Sequence, residues 1–266
     1  MLHKMSVQAA IINGDDLGLD SAANAGIFWA FEHGLISSTT AMANMPGFED
    51  ACEEARHRGL VGRIGVHLNL IEGRPITETI LSHERLCGPD GTFNGQLRNK
   101  WFHMTAREVE AVREELTAQI GACRRLLGEP THLDSHYNFH YSWPMGRIVA
   151  DLAGTEKIAA VRINTNCCVS SKLSKRLARY VYNLRLYRAG LARVRYLTRG
   201  IDLSPSIDNL SGIVEVIVHP KMINGKRVVD AENGAELTSV LKVLKRVKLI
   251  SYRERLSSSS KCLPAF

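Results

Sequence analysis

The chain has 266 residues, 45% of them hydrophobic and 23% charged, which suits a globular protein and excludes a disordered or fibrous one. Its formal charge of +7 favours polyanionic partners but bears on association and solubility, not on fold or chemistry. No N-terminal stretch reads as a signal peptide and no run of roughly 18 apolar residues occurs, so a soluble, cytoplasmic protein is expected.

In chain order, strand-like segments fall at 7–13, 38–43, 63–70, 131–135, 160–164 and 213–219, with a further candidate at 248–251. Helix-like segments interleave with them at 21–32, 49–58, 106–127 and 235–246. The 106–127 helix follows Thr105, an N-cap residue type, and stops at Gly128 with Pro130 just beyond. Such alternation predicts an α/β fold with a mainly parallel sheet covered by helices. We expect a single domain over 1–252 with a helical insertion at about 170–200, and a flexible tail over 253–266. Six cysteines, at 52, 87, 123, 167, 168 and 262, show no metal-type spacing and read as reduced thiols.

Residues 172–199 depart from the pattern. They hold nine Lys or Arg and no Asp or Glu, with Tyr180, Tyr182, Tyr187 and Tyr196 interleaved. One reading is a polyanion-binding surface for nucleic acid or an anionic membrane. The other, which we prefer, is one or two amphipathic helices with a solvated basic face, so no nucleic acid or membrane partner is expected.

Polar residues gather at strand ends. Asp15 and Asp16 follow the first strand, and His67 and Asn69 share one face late in the third. His132, Asp134 and His136 share a face if "THLDSH" is extended, because strand side chains alternate with period two. Arg162 and Asn164 lie in "AVRINTN", and His219 ends "IVEVIVHP", a run otherwise apolar except for Glu215. Taken alone, "NGDDLG" fits a surface turn as well as a site. Jointly these residues match the strand C-termini where parallel α/β proteins carry their active sites.

One carboxylate with two imidazoles makes a facial metal set with open positions, and Asp16, His67 and His136 supply it from three strands. Asp15 is then free to act as a general base, Arg162 to hold that base, and His219 to protonate a leaving group. The set suits hydrolysis of an amide or ester.

The strings "IINGDDLGLDSAANAGIFWAFEHGLISSTTAMANMPGFEDA", "GVHLNLIEGRPI", "PTHLDSHYNFH" and "VEVIVHP" resemble, in order and spacing, the YdjC-like carbohydrate deacetylases, which include chitooligosaccharide deacetylases. The resemblance implies a distorted (β/α) barrel related to the polysaccharide deacetylases, carrying the basic helical segment as an insertion. It implies one divalent metal ion, magnesium or zinc foremost, on Asp16, His67 and His136, with Asp15 as base and His219 protonating the leaving amine. It further implies removal of the N-acetyl group from an N-acetylglucosamine-containing sugar or chitooligosaccharide, and a homodimer. The alternatives are a hydrolase of the same fold acting on another amide, ester or glycosidic bond, and the non-catalytic polyanion binder.

The sequence departs from the family pattern in places. Family members often carry a run of histidines after Asp-Ser-His, whereas Tyr137 and Asn138 stand here. His-Pro-Gly becomes His219-Pro220-Lys221, and Gly14 and Leu17 replace Ala and Phe. None of these removes a proposed metal ligand.

Overall fold

The computed structural model describes residues 7–99, 103–167, 172–203, 210–244 and 247–257. The expectations for Cys168, Cys262, the end of the 235–246 helix and the tail from 258 onward lie outside them. The elements run β1 (Val7–Leu17), α1 (Ser21–Glu32), β2 (Ser38–Ala41), α2 (Phe48–His57), β3 (Ile64–Leu68), α3 (Ala106–Leu127), β4 (Leu133–Ser135) and α4 (Trp143–Thr155). They continue with α5 (Leu173–Arg188), β5 (Tyr196–Arg199), β6 (Gly212–Val218), β7 (Pro220–Ile223), β8 (Arg227–Asp230), α6 (Leu237–Val240) and α7 (Tyr252–Ser257). This is the expected α/β class. By contacts the chain divides into two compact units, one of residues 1–15, 22–39 and 162–266, the other of 16–21 and 40–161.

In the first unit β6 is flanked by β1 and β5, both parallel to it, with Asn13 opposite Ile217 and Leu197 opposite Glu215. Ala10, Ile11, Val214, Val216 and Val218 are essentially inaccessible. Burying each such side chain contributes roughly 1.5–3 kcal/mol against chain entropy. The 248–251 segment contributes one parallel bridge, Leu249 to Ala10, rather than a strand. β7 and β8 form an antiparallel hairpin closed by Asn224 and Gly225, both with positive φ. Ile223 pairs with Arg227 across this loop, and Asn and Gly tolerate the left-handed conformation its first two positions adopt.

The basic stretch is not helical throughout. Its helix is α5, and Tyr196–Arg199 instead forms β5, pairing with β6. Leu197 and Thr198 are buried there, so ladder hydrogen bonds and burial override the helix-like charge pattern. In α5, Tyr182 and Leu186 are buried, while Lys175, Arg176 and Arg188 are exposed.

The second unit pairs β3 and β4 in parallel, with His67 opposite Asp134. α3 packs against β3 and α2. Thr105 caps it by accepting from the Glu108 N–H, while the Glu108 carboxylate accepts from the Thr105 N–H. This capping box explains the sharp start of α3, and Gly128 with φ 74° explains its end. α3 also turns Glu115 and Gln119 inward. Glu115 accepts from the N–H groups of Ile76 and Thr77, and Gln119 brackets the Asn69 peptide on both sides. These bonds anchor the loop after β3. The segment 160–164, expected as a strand, makes only a single bridge, Val161 to Leu133, in this unit.

Candidate active site

Near the end of β1, Asp16 sits in the left-handed region, φ 73°. Aspartate tolerates that conformation better than most residues, yet holding it costs on the order of 1–3 kcal/mol, and such strain concentrates at functional sites. Asp16 Oδ1 stands 3.2 Å from His67 Nε2 and 2.9 Å from His136 Nδ1. One ligand atom from each of the three residues lies within 4.8 Å of the other two, and all three residues are buried.

The His67 ring is set from behind. Its Nδ1 lies 2.8 Å from Asp134 Oδ1, and Thr40 Oγ1 donates to Asp134 Oδ2 at 3.0 Å. The Asp134 carboxylate accepts from the Nδ1–H, so Nε2 is the ring nitrogen that faces Asp16. His136 is held at its other nitrogen, with Nε2 donating to Glu72 Oε1 at 2.5 Å, so its Nδ1 faces Asp16. One carboxylate and two oriented imidazoles, converging and largely dry, fit a small divalent cation.

The charges in this cluster are coupled. Burial works against the charge of Asp16, but hydrogen bonds from His136 and His67 outweigh it and hold the carboxyl well below its ordinary value. Burial likewise opposes charge on His136, and its bonds to Asp16 and Glu72 prevail and raise it. The bond from His136 lowers Glu72, against a smaller opposing effect of burial.

Within the first unit, Asp15 has different hydrogen-bond partners. Both its oxygens accept from Arg162, Nη2 to Oδ1 and Nη1 to Oδ2, each at 2.7 Å, and Asn13 donates to Oδ1 at 2.8 Å. Arg162 Nε donates to Glu215 Oε1 at 2.8 Å, and the Tyr252 hydroxyl donates to Glu215 Oε2 at 2.6 Å. Arg162 and Glu215 are inaccessible to solvent. His219 follows β6 with its side chain 27% exposed and its Nδ1 3.7 Å from Asp230 Oδ1. The structure therefore brings Asp16, His67 and His136 together, and Asp15 and Arg162 together, while His219 stands beside Asp230.

The family model described as YdjC-like protein matches residues 9–247. The chain belongs to the YdjC-like family. Among its relatives, the chitooligosaccharide deacetylase of Klebsiella pneumoniae strain 342 is 31% identical over 221 residues, 80% of this chain and 82% of that protein. The carbohydrate deacetylase of Clostridium beijerinckii is 26% identical over 243 residues, 91% and 93% of the two chains. Of solved structures, a candidate cellobiose-phosphate cleavage protein from Enterococcus faecalis V583 superposes with a TM-score of 0.66 at 23% identity. It covers 92% of this chain and 97% of its own, a likeness of fold.

Within this YdjC-like protein, sequence reasoning misses Glu72 and the work of Asp134, Thr40 and Asn69. Asn69 Oδ1 accepts from the Ile71 N–H, and its Nδ2 donates to the Glu72 carbonyl, so it shapes the turn that carries Glu72. The available signal was an acidic residue in "HLNLIEG", five positions past a candidate ligand. Nothing in spacing alone pairs it with His136.

Proposed function

We propose that this YdjC-like protein is a metal-dependent carbohydrate deacetylase, hydrolysing the N-acetyl group of an N-acetylglucosamine-containing sugar or chitooligosaccharide. The observation that carries the reading is Asp16 Oδ1 set 2.9 and 3.2 Å from two oriented imidazole nitrogens in a buried cluster. The names of the relatives, chitooligosaccharide deacetylase and carbohydrate deacetylase, support the substrate class. Asp16, His67 and His136 would hold one divalent cation, with magnesium and zinc the first to try. When bound, such an ion supplies Lewis-acid polarisation of the acetyl carbonyl.

The chain's own residues do the rest. Asp15, fixed in orientation by the Arg162 fork, takes a proton from the attacking water. His219 gives a proton to the nitrogen as the carbon–nitrogen bond breaks, so that acetate and an amino sugar leave. Asp134 and Glu72 hold the two imidazole rings in their working orientations. We also read the protein as a homodimer, which light scattering on the purified chain tests. Four buried thiols among the described residues suit a reducing compartment, and we read the location as cytoplasmic.

Acetate release from N-acetylated chitooligosaccharides, measured with and without added divalent cations for wild type and Asp16→Ala, tests the proposal. Equal release from both proteins removes the metal assignment. Release of a product other than acetate from a panel of acylated and glycosidic sugars turns the reading to another hydrolase.

A further inference from the structure

Tyr137 directly follows His136, and its surroundings differ from those of the rest of its segment. In the short 3-10 stretch His136–Tyr141, Phe139 and His140 are buried to 1% and 0% exposure, and they tie the segment to the protein. Tyr137 is 54% exposed. It and Asn138 both sit in the left-handed region, φ 52° and 50°, a rare pair for residues other than glycine. Two strained residues in succession cost on the order of 1–3 kcal/mol each, and here they present a large ring to solvent instead of burying it.

The ring is also held in place. Its centroid lies 4.6 Å from that of His136, edge to face. The guanidinium carbon of Arg98 lies 3.9 Å from the ring centroid, a cation–π stack. Arg98 ends a second 3-10 turn, Gln96–Arg98, which is anchored by buried Leu97 and entered through Gly95 at φ 73°. An oriented, half-exposed aromatic ring with a guanidinium over one face, whose N–H groups reach the ring's rim, matches a sugar ring. The apolar C–H face of a pyranose stacks on the aromatic, and its hydroxyls accept from the guanidinium.

We propose that Tyr137 and Arg98 form a pyranose-binding subsite beside the Asp16–His67–His136 cluster, which takes a neutral N-acetylhexosamine unit of the substrate. Both residues touch sugar in this scheme, and neither touches the cation. The proposal rests on the deacetylase reading for its substrate, though not for its geometry.

The test combines turnover with binding. For N,N′-diacetylchitobiose, Tyr137→Ala raises KM about tenfold, the size of one good aromatic contact, and leaves kcat within about threefold. Tyr137→Phe keeps the ring and stays close to wild type, and Arg98→Ala raises KM by a smaller factor. Cation affinity, read by calorimetry, is unchanged in all three variants. Saturation-transfer NMR of the same disaccharide on wild type shows contacts to the ring C–H protons that Tyr137→Ala loses. An unchanged KM and an unchanged NMR contact in Tyr137→Ala overturn the subsite. So does a fall in kcat together with cation affinity, because Tyr137 would then only be supporting His136. If wild type releases no acetate but binds the disaccharide in a Tyr137-dependent way, the subsite stands and the deacetylase reading falls.

Discussion

Asp15 and Asp16 are successive residues near the end of one strand, yet Asp15 accepts hydrogen bonds from an arginine and an asparagine, whereas Asp16 faces two imidazoles. The guanidinium on Asp15 cannot give up its proton and commits an N–H from each of its three nitrogens to two carboxylates. The imidazoles on Asp16 can exchange protons for a cation. The lesson is that a pair of like charges in sequence acquires two separate environments once the backbone aims them at partners of different chemistry. Strand alternation begins that separation, and the positive φ of Asp16 completes it.

The contrast can be broken at either residue. Asp16→Ala is expected to abolish cation binding by calorimetry and lower kcat/KM about 10⁴-fold or more, while Asp15→Asn keeps the cation and loses rate about 10²–10⁴-fold. If both variants keep the cation, Asp16 is not a ligand.

Arg162→Leu leaves Asp15 and Glu215 buried without their shared counter-charge. We expect a loss of about 3–5 kcal/mol in urea unfolding, the cost typical of breaking a buried ion pair from one side. A loss under about 1 kcal/mol would show that water reaches these carboxylates readily.

Glu72→Gln sharpens the picture on the Asp16 side. It keeps an acceptor for His136 Nε2 but removes the charge, so cation affinity should fall about tenfold, the lower end of what a supporting carboxylate contributes. Unchanged affinity would mean that His136 keeps its orientation without Glu72.

The smallest effect is in pH. His136 is raised, so without added cation its stabilising contribution is full below the ordinary histidine value and fades as pH climbs through its own higher value. Asp16 is lowered, so its contribution is present above the ordinary carboxyl value and is lost only as pH falls through its depressed one. A cation must displace the His136 proton. The rise in Tm on adding zinc or magnesium should therefore grow by a few degrees between about pH 6 and about pH 8. A constant rise would place the proton elsewhere.

Much of this was legible beforehand where local chemistry decides. α1 and α3 have the bounds read from sequence, and α3 shows why, since Thr105, Glu108 and Gly128 fix both ends locally. The strand-end histidines and aspartates stood out because polar groups at the ends of apolar runs need a reason. Other features depended on partners distant in sequence. β5 was hidden in an arginine-rich run, and only its pairing with β6 makes it a strand. α4 was missed because Pro144 reads as a boundary, although proline near a helix start is favourable. The β7–β8 hairpin had a local signal, Asn224-Gly225, that went unused. Glu72 had only its place five residues past His67 as a signal, and nothing local pairs it with a partner 64 residues away.

The register that sets Asp134 opposite His67 also bears on how the protein matures. His67 gains its orienting carboxylate from 67 residues downstream, and Asp16 meets His136 across 120 residues of chain. Closing such long loops comes late in folding, because their entropy must be spent before any contact repays it. A nascent chain still lacking β4 would offer a cation only Asp16 and an unaligned His67. Unlike a small zinc module, which a metal can nucleate, this protein must build the Asp16–His67–His136 cluster as a product of folding. Purification in a chelator should accordingly yield a folded chain, ready to be loaded afterwards.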